Sequence, residues 1–88
     1  MTQTEVANEI EAFVEGRSGK WDWDEFISLR LVDPELDAIR RLCGCLPEID
    51  PPTAAGHYCG ERGMAIMTRL VAALRSGHSL ADLGPYAE

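Results

Sequence analysis

The chain has 88 residues, enough for one domain and too few for two ordinary ones. An apolar content of 45% is too high for a disordered chain. With 15 Asp and Glu against 8 Lys and Arg, the net charge of -7 argues against a nucleic-acid binder, which needs a basic face to displace counterions.

In chain order, Val6, Ile10, Phe13 and Val14 form one apolar helical stripe. Thr2 and Glu5 fit a capping box, and Gly16 is a natural stop, so a first helix is expected over residues 3–15. Residues 17–25 read as a loop and turn, with Asp22 or Asp24 able to cap a short helical turn reaching Phe26. From Phe26 to Val32, Ile27, Leu29 and Leu31 alternate with Ser28 and Arg30. That period-two pattern predicts an extended connector on the core, or a strand that pairs with a second copy and makes a homo-oligomer. Asp33-Pro34-Glu35 is the strongest helix start in the chain. The second helix then buries Leu36, Ile39, Leu42 and Cys43, pairs Asp37 with Arg41, and ends at Gly44 or Pro47. Prolines and glycines over residues 47–60 predict a long connection. A third helix follows over residues 61–76, with Met64, Met67, Val71 and Leu74 as its core face and Ile66 and Leu70 broadening it. Residues 79–83 fit one more helical turn before Gly84-Pro85, and His78 reads as an exposed residue at a helix end. The expected fold is all-α: a small orthogonal three-helix packing with the 26–32 segment wedged against it.

Charge is uneven along the chain. Glu5, Glu9, Glu11 and Glu15 fall in the first fifteen residues with no basic residue, whereas the last helix carries Arg62, Arg69 and Arg75. The two ends are expected either to attract each other or to face different partners. No segment approaches the roughly 20 apolar residues that span a bilayer. The opening Met1-Thr-Gln-Thr-Glu has neither the charged leader nor the apolar run of a secretory signal. Three cysteines cannot all pair within one chain, so they read as thiols or ligands in a reducing cytoplasm.

Two constellations could carry chemistry. Cys43-x-Cys45 and His57-x-Cys59 flank the long connection and offer zinc four ligands, although each pair is separated by one residue where zinc sites commonly use two to four. Against that stand ordinary unligated thiols, Cys43 lying on the apolar stripe of its helix. A Cys43–Cys45 disulfide would close a strained loop. The second constellation is Trp21-Asp22-Trp23-Asp24. Tryptophans beside acids suit a binding surface for a basic partner. In a chain this short they equally suit the core, and that is the favoured reading. Met64 and Met67 read as core rather than groove. No phosphate loop, His-Glu-x-x-His or nucleophile elbow is present, so no enzyme is expected, and zinc is the single candidate cofactor.

Lys20-Trp-Asp-Trp-Asp-Glu-Phe-Ile-Ser28, Asp33-Pro-Glu-Leu-Asp-Ala-Ile-Arg40, and Gly56-His-Tyr-Cys59 with Gly63 together resemble a group of short bacterial proteins of unknown function. These share a Trp-Asp-x-Asp-[Asp/Glu]-Phe turn followed by an Asp-Pro-capped helix. The resemblance covers about residues 20–75. It implies a cytosolic bacterial protein and transfers no activity, cofactor or site residue. The expected function is a small acidic, non-enzymatic protein-interaction module. The alternatives are a zinc-stabilised domain and an immunity- or antitoxin-like inhibitor of a basic partner.

Overall fold

The computed structural model describes residues 1–19, 22–54 and 56–77. Among them are four helices and no strand: α1 (Gln3–Val14), α2 (Asp22–Ser28), α3 (Pro34–Ile49) and α4 (Glu61–Arg75). The fold is all-α, and the short helical turn expected from Asp22 or Asp24 to Phe26 is a helix of its own, α2. The expected turn over residues 79–83 and the expected position of His78 lie outside the described residues.

The first helix forms as its residues dictate. Thr2 Oγ1 accepts the Glu5 N–H at 3.1 Å while Glu5 accepts the Thr2 N–H at 2.8 Å, which closes the capping box. Gly16 then takes φ 75°, a left-handed exit that glycine adopts without cost. Val6, Ala7 and Ile10 are wholly buried, and Phe13 and Val14 pack against the core edge.

The 26–32 segment corrects the period-two reading. Its first three residues close α2, because Trp23 and Phe26, three apart, both enter the core and impose a helical period. Asp22 accepts the Gly19 N–H at 3.0 Å, and three acids occupy the first turn, where the helix dipole favours them. Beyond Ser28 the chain does leave the helix. Leu31 is buried and its N–H donates to Asp37 Oδ1 at 2.9 Å, while Leu29 is half-exposed and Val32 fully exposed. The connector is real but is confined to residues 29–33. Strand pairing with a second copy over 26–32 does not fit a segment that begins as helix.

Helix α3 also runs past its predicted stops. Asp33 caps it, accepting the Glu35 and Leu36 N–H groups at 2.9 and 3.1 Å. It continues through Gly44 and Pro47 to Ile49. A proline inside a helix lacks the N–H that would reach the carbonyl four residues back, here that of Cys43. Tyr58 fills the gap: its hydroxyl donates to the Cys43 carbonyl at 2.8 Å. Gly44 is tolerated where α2 comes close, with Ile27 Cβ 3.7 Å from the position a Cβ would take.

The connection to α4 is therefore shorter than predicted, and its ends meet. The Gly60 N–H donates to the Asp50 carbonyl at 2.9 Å, and the Gly63 N–H donates to Asp50 Oδ2 at 2.9 Å. Gly60, at the N-cap of α4, has no side chain to cap with, so Asp50 supplies the carboxylate from ten residues upstream. Gly63 is buried against Cys59, where a Cβ would stand 2.5 Å from Sγ. Helix α4 buries Ile66, Met67, Leu70, Val71 and Leu74. It pairs chiefly with α1, α2 packs on α3, and α3 meets α4. Arg75 bonds Glu11 Oε1 at 2.8 Å and Asn8 Oδ1 at 3.0 Å, so the basic end of the chain does answer the acidic one.

Candidate functional site

The two tryptophans of the acidic turn do not form a surface anchor as a pair. Trp23 is 4% exposed and stacks on Phe13, with ring centroids 4.0 Å apart and planes within 9°. Tyr58 stands at right angles to both rings, 5.1 Å from Phe13 and 5.8 Å from Trp23, and Phe26 lies 5.4 Å from Trp23. Trp23 thus belongs to the core, as the favoured reading of the sequence has it. Trp21 lies outside the described residues. Asp22 and Asp24 are exposed. Burial pushes the Tyr58 hydroxyl above its ordinary pKa, against the pull of the nearby Trp23 indole. The indole nitrogen itself meets no acceptor in hydrogen-bond geometry and is buried.

The four proposed metal ligands do not come together. Two residues along a helix turn a side chain roughly 200° about the axis, so Cys43 is buried while Cys45 is exposed. Cys59 is buried near Cys43, and His57 is exposed on the loop. Among the described residues no three His, Cys, Asp or Glu side chains form a group able to hold a metal ion. Burial, with the neighbouring Cys59 adding to it, pushes the Cys43 thiol up to about 12. Burial and then Asp50 raise Cys59. A metal needs thiolates, and these two sites disfavour them.

Two concavities flank the aromatic cluster. The first is a hollow of about 220 Å³ where α1 meets α2, lined by Glu9, Asp22 and Glu25 together with the apolar Met1, Phe26 and Leu29. It draws on an acidic region: residues 1–28 hold seven acids against two bases and so carry five of the chain's seven net negative charges. The second is a groove of about 460 Å³ between α1, the end of the loop and the start of α4, walled by Phe13, His57, Tyr58, Cys59, Glu61 and Met64. Met64 is only partly buried, so it lines this groove, whereas Met67 is core as expected. Of the residues singled out in the sequence, Asp22 reaches the hollow and His57 and Cys59 reach the groove. Glu9, Glu25, Leu29, Phe13, Tyr58 and Glu61 carry no spacing signal that ties them together. Tyr58 alone had a clue, since a proline at 47 inside a helix leaves a carbonyl in need of a donor.

Comparisons with family models, with curated proteins and with solved structures returned no match.

Proposed function

We propose that this chain is a non-enzymatic protein-interaction module that docks a basic, partly apolar segment of another protein in the hollow between α1 and α2. The observation that carries the reading is the juxtaposition of three carboxylates, from Glu9, Asp22 and Glu25, with the apolar surface of Met1, Phe26 and Leu29. A lysine or arginine side chain has that same division, an apolar stem and a charged head. The volume suits one such side chain rather than a drug-sized ligand, whose sites run to roughly 300–1,000 Å³. Leu29, which lines the hollow, is half-exposed, and Val32 farther along the 29–33 connector is fully exposed. Concentrated negative charge would steer a basic partner into the encounter. An inhibitor that covers the basic surface of an effector is one form of this function. The bacterial cytoplasm, where free thiols persist, is the compartment the reading assigns.

NMR shift mapping with an amphipathic lysine–leucine peptide tests the proposal. Shifts should concentrate on Glu9, Asp22, Glu25 and Leu29, fade as salt screens the charges, and vanish in a Glu9→Lys, Glu25→Lys variant. Shifts spread evenly over the surface, or unchanged by salt, would remove the hollow as a docking site.

A further inference from the structure

The larger groove has a different chemistry from the hollow and a separate place in the fold. Phe13 has one ring face covered by Trp23, and it lines the groove beside Tyr58, whose ring is turned 83° from its own. The groove lining thus holds two aromatic side chains, with Tyr58 set edge-to-face beside the Phe13–Trp23 stack. Met64 adds a polarisable thioether. Glu61, exposed on the first turn of α4, adds an acidic residue to the lining. Neither Lys nor Arg lines the groove, and His57 is its one basic side chain. An anionic ligand would face Glu61 and a chain of charge -7. A neutral apolar ligand would gain nothing from the Glu61 carboxylate, which is exposed. A cation with an alkylated, weakly hydrated head satisfies both features, because aromatic faces attract it and the carboxylate neutralises it. The volume of about 460 Å³ lies within the small-molecule range that the hollow falls short of.

We propose that the groove lined by Phe13, Tyr58, Met64 and Glu61 binds a small free organic cation with an alkylated ammonium head. The inference does not depend on the hollow or on any protein partner. Titration of the full chain with choline, followed by NMR, is the direct test, run beside the uncharged isostere in which a tert-butyl group replaces the trimethylammonium. Choline should move the Phe13, Tyr58 and Met64 resonances saturably and bind about threefold to thirtyfold more tightly than the isostere, the range expected of a cation against aromatic rings. Glu61→Gln should weaken choline several-fold, while Glu9→Gln, which removes the same charge from the lining of the hollow, should leave it nearly unchanged. Equal binding of choline and the isostere overturns the proposal, as does an equal loss in both variants or the absence of saturable shifts. A trimethyllysine peptide that binds more tightly than choline overturns the assignment to a free small molecule.

Discussion

Helices α1 and α4 hold each other through apolar stripes, whereas the corner between α3 and α4 is held by individual hydrogen bonds. In the first region Val6, Ile10, Met67 and Leu70 are fully buried, and stability grows with the area they remove from water. In the second, Tyr58 answers the carbonyl freed by Pro47, and Asp50 answers the N-terminus of α4. Burial of this kind is spread over many contacts and its loss scales with the volume removed, while a hydrogen bond to an otherwise orphaned group depends on one atom. The two regions should therefore respond differently to substitution.

The largest effect belongs to the stripes. Leu70→Ala should cost about 2–5 kcal/mol in urea unfolding, since it opens a cavity in the α1–α4 contact. At the corner, Tyr58→Phe keeps the ring and leaves the Cys43 carbonyl unpaired, at about 1–3 kcal/mol. The comparison sharpens if Pro47→Ala is added: the new N–H reaches that carbonyl, and the cost of Tyr58→Phe should largely disappear. Full additivity of the two substitutions in a double-mutant cycle would show that the hydroxyl does not replace the missing donor. Asp50→Ala removes the borrowed cap of α4 and should cost about 0.5–2 kcal/mol, read by the same unfolding curve.

The smallest effect is a pH dependence on the far side of α3. The Arg40 guanidinium, then the Leu31 N–H, hold the Asp37 carboxyl below its usual pKa. Its contribution is complete above the unfolded-state pKa, near 4, and is lost as pH falls through the lower folded-state value. Acid unfolding followed by circular dichroism should show this limb, and Asp37→Asn should flatten it.

This division also separates what was legible in the sequence from what was not. The α1 capping box, the Asp33-Pro34 start and the apolar stripes of α1, α3 and α4 all rest on residues within one or two turns of each other, and they form where periodicity puts them. Pro47 misled because its rescue comes from Tyr58, fifteen residues beyond the carbonyl it serves. The alternation of Ile27, Leu29 and Leu31 misled because the deciding pair, Trp23 and Phe26, lies upstream and answers to Phe13 and Tyr58. The concavities were the least legible of all. Each gathers residues from two or three elements, and only the packing of those elements brings Glu9 to Glu25 or Phe13 to Glu61. The four ligands of the zinc set are divided by the helix itself, since a spacing of two along α3 parts Cys43 from Cys45 between core and solvent.

The bonds from Asp50 to Gly60 and Gly63 make the intervening stretch a cassette. Both ends of residues 51–59 are fastened to the same residue, so the distance they bridge is fixed by α3 and α4 and not by the loop's own length. Because loop closure depends only weakly on length, this stretch should accept shortening or insertion around Thr53 and Ala54, both exposed, so long as Tyr58 keeps its place. The wall of the groove that it supplies would then change while the helices stay as they are.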